Sequence, residues 1–174
     1  MVNANKNKGD KGERDAVEFL VALCPDLVVR NPRRMLGAGR KDDEGDLRVF
    51  PDAAVQVKVF KPQYLSKAMY DAAVTSVDQA KNAEQPYALG MVKMHNARGP
   101  HQKWLASVVE WPEDLTAPPV EHKAATAAAE WAKKHPAPDA AVGIVTRAGS
   151  PTIYVAPLGT WVAAYRRARL ATAA

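Results

Sequence analysis

Apolar positions along this chain switch between two periods, and each switch marks an element. Over residues 13–24, Ala16, Val17, Leu20, Leu23 and Cys24 recur at three- and four-residue spacing, which predicts an amphipathic helix stopped by Pro25. Residues 26–30 read as a short strand, and NPRRMLGAGRKDDEG after them has the glycine, proline and charge of an exposed loop. A strand over 47–50, a turn at Pro51-Asp52-Ala53 and a strand over 54–60 form a hairpin with Val55, Val57 and Val59 on one face. Helical spacing returns over 64–83, with Ala68, Ala72, Val77 and Ala80 as inward candidates. Strands follow over 87–94 and 104–111, joined by the basic loop HNARGPHQK. After the proline-rich PEDLTAPPVE come an alanine-rich helix (122–134), strands over 141–147 and 152–156 around a turn, and an amphipathic helix over 158–170 that carries Arg166, Arg167 and Arg169.

This order predicts an α/β fold: a central mixed β-sheet flanked by helices, plus a C-terminal helix-hairpin-helix extension. At 174 residues the chain suits one domain, divided into a flexible basic arm (1–11), a core (12–111) and the extension (112–174). The arm, MVNANKNKGDKG, is polar and lysine-rich, so order is expected to begin near Gly12.

Composition narrows the classes. With 47% hydrophobic and 25% charged residues, the chain is neither disordered nor fibrous. A net charge of +5 favours an anionic partner, nucleic acid or an anionic membrane surface. One cysteine, Cys24, allows no internal disulfide and no multi-cysteine zinc site. The longest apolar stretch, 16–24, carries Glu18 and is too short to span a bilayer, and the N-terminus lacks a signal-peptide core, so a cytoplasmic protein with no membrane partner is expected. His95, His101, His122 and His135 lack the i, i+4 spacing of paired metal ligands and read as surface residues.

Candidate chemistry centres on the hairpin. Asp46 stands where a glycine-led loop enters a strand, and Gln56 and Lys58 lie two residues apart on the next strand, on one face. Phosphodiester hydrolysis needs a Lewis acid, an acidified water and a cation near the phosphate. An acidic ligand, an amide oxygen and a lysine can supply these, and hard oxygen donors suit Mg²⁺ or Mn²⁺. Glu13 lies on the apolar stripe of the first helix, where it either faces a site or caps the first turn, where the helix dipole favours an anion. Arg33, Arg34, Arg40 and Lys41, with Gly37 and Gly39, form a loop that can cradle phosphates, and Lys11 and Arg14 add charge nearby. Neither a G-x-G-x-x-G nor a Walker pattern occurs. Most of Tyr64, Tyr70, Trp104, Trp111, Trp131 and Trp161 are expected in the core, with Tyr64 the exception that could stack on a base.

The order KGERDAVEFL, basic glycine loop, GDLRVF, turn, VQVKVF resembles the archaeal Holliday junction resolvases and their phage relatives within the PD-(D/E)XK nuclease superfamily. The resemblance covers about residues 8–111, including Gln79-Ala80 and the WLASVVEW strand. It implies a restriction-endonuclease-like core, a Mg²⁺-dependent endodeoxyribonuclease (Mn²⁺ as substitute) acting on four-way or branched DNA, and a homodimer that makes two symmetric cuts. It also implies roles: Glu13, Asp46 and Gln56 hold the metal, and Lys58 completes the catalytic set. The family carries Glu or Asp where this chain has Gln56, so one negative charge is missing, and Asp43 and Glu44 are the nearest spares. Two alternatives stay open. One is a repair- or restriction-type nuclease acting on other DNA structures; the other is a DNA-binding protein that keeps the nuclease scaffold with weak or no catalysis.

Overall fold

The computed structural model describes residues 4–35, 43–135 and 141–172. The chain runs α1 (Ala4–Leu23), β1 (Arg33–Arg34), β2 (Leu47–Arg48), β3 (Ala53–Lys58), a 3-10 turn (Pro62–Tyr64) and α2 (Leu65–Asn82). It continues through β4 (Tyr87–Lys93), the one-turn α3 (Pro100–Lys103), β5 (Trp104–Val108), β6 (Val120–His122), α4 (Ala125–Lys133), β7 (Gly143–Val145), β8 (Ile153–Pro157) and α5 (Leu158–Thr172). The eight strands form one mixed sheet in the order β1-β2-β3-β4-β5-β8-β7-β6. β3 and β4 are parallel and joined through α2, as a parallel pair requires a crossover. β6 and β7 are also parallel, and the remaining neighbours are antiparallel.

Alternation along the central strands feeds two cores. Val55, Val57, Leu89, Met91, Trp104, Ala106 and Val108 point to the side covered by α1 and α5. Val92, Leu105, Ile153 and Val155 point to the side covered by α2 and α4. Since helices cover both faces, β5 is buried along its whole length rather than alternating with solvent. Gly90 shows how close the second layer lies: a Cβ there would stand 2.4 Å from the Ser107 carbonyl oxygen and 2.7 Å from the Ala72 carbonyl carbon. Ser107, buried beside it, donates its hydroxyl to Met69 O on α2 at 2.9 Å.

Three expectations need correction. The helix begins at Ala4, so the basic arm is largely the first turns of α1. Elongating a nucleated helix is cheap, and Arg34 holds Asp10 in the early part of this one. Residues 26–30 are turn and bend, tied to the sheet by one bond from Val29 N to Val49 O at 2.8 Å; the edge strand lies instead at Arg33–Arg34. β6, unforeseen because Val120–His122 shows no apolar alternation, is a strand only through pairing with β7. The C-terminal helix, hairpin and helix continue the same sheet: β8 pairs with β5 along four residues, and α5 seats Trp161 and Tyr165 against Phe50.

Of the histidines, only His101 is exposed. His95 bonds Phe60 O at 2.7 Å, and His122 and His135 pack on Trp131. Trp104 and Trp161 are fully buried and Trp111 and Trp131 half-buried, whereas Tyr64 is 53% exposed, as expected of the one aromatic set apart. Among the described residues no helix is long and apolar enough to cross a membrane.

Candidate active site

Asp46 owes its place to a break in the ladder. Gly45, at φ +119°, takes a backbone conformation closed to most L-residues and turns the chain into β2. Asp46 N then donates to Val55 O at 2.9 Å, and the Asp46 side chain takes over where the β2 backbone ends. Its Oδ2 accepts the Val57 backbone N–H at 2.8 Å, a donor that would otherwise lack a strand partner, and also accepts from Gln56 Nε2. Asp46 is 8% exposed.

Gln56 and Lys58 share a face of β3, as period two requires. That face is not open along its length, because α2 covers it and leaves Gln56 only 5% exposed. Gln56 Oε1 accepts from Gln79 Nε2 at 2.6 Å, and the same Nε2 donates to Asp43 Oδ2 at 3.0 Å. An amide chain therefore links Asp46, Gln56, Gln79 and Asp43. The half-buried Lys58 lies near enough to Asp46 to favour its charged form.

Glu13 approaches from α1. Its Oε2 accepts Arg34 Nε at 2.8 Å, while Arg34 Nη2 donates to Asp10 Oδ1 at 2.6 Å. Burial pushes the Glu13 carboxyl up, the nearby Asp46 charge pushes it further, and the Arg34 guanidinium opposes both. Burial likewise raises Asp46, against the Val57 N–H and Lys58, and Asp43 adds to the rise. Among the described residues, Asp10 and Asp43 stand beside Glu13 and Asp46, with Arg34 and Lys58 as the cations facing them. The raised pair Glu13 and Asp46, each disfavoured by burial and by a neighbouring carboxylate, is what a divalent cation would relieve.

The donor chemistry fits a hard cation, with one condition. Glu13 and Asp46 offer carboxylate oxygens, but Gln56 turns its N–H₂ toward Asp46, so its amide must rotate half a turn to present oxygen. Among the described residues no three His, Cys, Asp or Glu side chains already converge on one point as metal ligands.

The structure thus brings Glu13, Asp46, Gln56 and Lys58 into one neighbourhood. Of the basic residues, Arg33, Lys11 and Arg14 are exposed, Arg34 is engaged with Glu13 and Asp10, and Arg40 and Lys41 lie outside the described residues. A cleft of about 310 Å³ lined by Lys11, Gly12, Val59, Lys93, Met94 and His95 opens one residue along the chain from Glu13 and from Lys58. Gln79 had been noted only as part of the stretch of resemblance. The signal for it was a glutamine on the inward stripe of α2, beside Ala72, Ser76 and Ala80, the same argument that singled out Glu13. No known family model, curated protein or solved structure matches the chain.

Proposed function

We propose that the protein is a Mg²⁺-dependent DNA endonuclease of the PD-(D/E)XK type, acting on branched DNA in the manner of a Holliday junction resolvase. The observation that carries this reading is the gathering of Glu13, Asp46, Gln56 and Lys58, from a helix, a strand entrance and one strand face, around the buried Asp46 carboxylate.

Glu13, Asp46 and the rotated Gln56 amide would hold Mg²⁺ or Mn²⁺. The bound cation supplies Lewis acidity that offsets charge developing on the phosphate and acidifies a water. Asp46 is fixed for this by the Val57 N–H, which leaves its second oxygen clear of that bond. Lys58, on the same strand face as Gln56, orients the attacking water or the phosphate. Lys11, Arg14 and Arg33 are exposed to meet the DNA backbone, and Arg34 can join them once a cation takes over Glu13. Resolving a four-way junction requires two symmetric cuts, so the active species under this reading is a homodimer.

The second reading, a DNA-binding protein without catalysis, is favoured by one contact: the Gln56 N–H₂ already satisfies Asp46 without a cation. Labelled four-way junction and matched linear duplex, incubated with and without Mg²⁺ or Mn²⁺, separate the two. Paired nicks on the junction that vanish in Asp46→Asn and Lys58→Ala establish the resolvase, and equal cutting of both substrates a repair- or restriction-type nuclease. Junction binding without cutting under either metal leaves the scaffold reading.

A further inference from the structure

The Gln56 amide leaves the site one charge short, and the hydrogen bonds around it indicate where the charge comes from. Two hard oxygens, Gln56 Oε1 and Asp43 Oδ2, converge on a single group, Gln79 Nε2, at 2.6 and 3.0 Å. Gln79 is 1% exposed, and the other end of its amide, Oε1, is buried with no hydrogen-bond partner. A buried acceptor left without a partner destabilises the fold, so a glutamine here is a poor choice for stability alone. When the Gln56 amide turns its oxygen toward Asp46 and the cation, its N–H₂ comes to face Gln79, and a half-turn of the Gln79 amide offers that N–H₂ the oxygen now unpartnered and releases Asp43 Oδ2. Asp43 itself is well anchored: its Oδ1 accepts Gly45 N–H at 3.1 Å, and its backbone oxygen accepts Asn82 Nδ2 at 3.0 Å.

We propose that Asp43 supplies the carboxylate that Gln56 lacks, and that Gln79 is the positioning residue that holds Asp43 and Gln56 together for a divalent cation. In the absence of the cation, the Gln79 N–H₂ bridges the two oxygens. The exposed Glu44, next in the chain, has no part in this. The inference rests on the cation site proposed above, and it assigns a ligand and a support that the resemblance does not.

The test is Mn²⁺ binding to DNA-free protein, followed by calorimetry and by the Mn²⁺ paramagnetic resonance signal, with melts in EDTA to verify folding. Asp43→Asn is expected to weaken Mn²⁺ binding about tenfold or more, since ligand charge count sets affinity for hard cations, while Glu44→Gln leaves it unchanged. In a Gln56→Glu background the missing charge is restored, so adding Asp43→Asn should cost far less. Should Asp43→Asn fail to fold, Gln79→Met decides: it keeps the volume and removes the support, and loss of such a support weakens metal binding about 10–100-fold. Wild-type Mn²⁺ affinity in Asp43→Asn and Gln79→Met, or no Mn²⁺ uptake by the wild type, overturns the proposal. Parallel cleavage assays separate it from the nuclease reading. Mn²⁺ binding that depends on Asp43 in a protein that cuts no DNA upholds this inference against that reading; metal-dependent cutting with Asp43-independent binding does the reverse.

Discussion

Replacing Gln56 by Glu tests the heart of the site without assuming any activity. In the wild type, Gln56 Nε2 donates to Asp46 Oδ2, and both side chains are more than nine-tenths buried. The substitution removes a charge-assisted hydrogen bond worth about 1.5–3 kcal/mol and sets two carboxylates against each other. At roughly 4 Å and an effective dielectric near 20, that repulsion is about 4 kcal/mol. The protein can avoid the full sum by binding a proton, which from a reference pKa of about 4.3 costs roughly 3.7 kcal/mol at pH 7. The shared proton then restores the hydrogen bond, so the loss in EDTA at pH 7 should settle near 3–4 kcal/mol. For a chain of this size that is a fall in Tm of about 6–15 °C. The new carboxyl has a folded-state pKa above its unfolded value. The variant therefore matches the wild type below pH about 4 and loses stability progressively as pH rises through the raised value. Mg²⁺ should recover about 2.7 kcal/mol at a hundred times its dissociation constant. A Gln56→Glu protein that melts at or above the wild-type temperature at pH 7 in EDTA would refute the reasoning, because it would mean the amide does not face Asp46.

Asp46 and Glu13 both have pKa values raised above their usual 3.8 and 4.5, so each carboxylate stabilises the fold less as pH rises through its folded value. Asp46→Asn in EDTA should accordingly gain on the wild type from pH 4 to 7 in urea melts; a constant gap would contradict the raised pKa. Arg34→Ala removes a partly exposed ion pair to Glu13 and Asp10 and should cost about 1 kcal/mol or less, fading in 0.5 M salt; a larger, salt-insensitive loss would show Arg34 to be a structural post. Trp161→Ala empties a fully buried site stacked on Tyr165 and should cost about 3–5 kcal/mol by denaturant unfolding. A chain ending at residue 111 leaves β5 without β8 and Phe50 without α5, so it should show no cooperative melt; a sharp transition would show that residues 1–111 fold without them.

Much of this fold is local chemistry that the sequence states outright. The 3.6-residue stripe through Ala16, Leu20 and Cys24, the valine alternation of β3, and the glycine and proline punctuation place the end of α1 and all of β3, α2, β4 and β5 within a few residues, since each follows from its own periodicity. Asp46, Gln56, Lys58 and Glu13 were equally legible as candidates, because a polar residue on an apolar stripe or at a strand entrance stands out against its neighbours. Only the tertiary structure decided the rest. Arg33–Arg34 and Val120–His122 are strands because a partner strand completes their hydrogen bonds, and no pattern of their own announces it. The C-terminal elements join the central sheet because β5 offered an unpaired edge to β8, a choice made between segments about fifty residues apart. Asp43 and Gln79 meet across 36 residues, and Arg34 reaches Glu13 across 21. Which buried donor finds which acceptor depends on the packing of helix on sheet, a property of the folded chain that residue spacing does not carry.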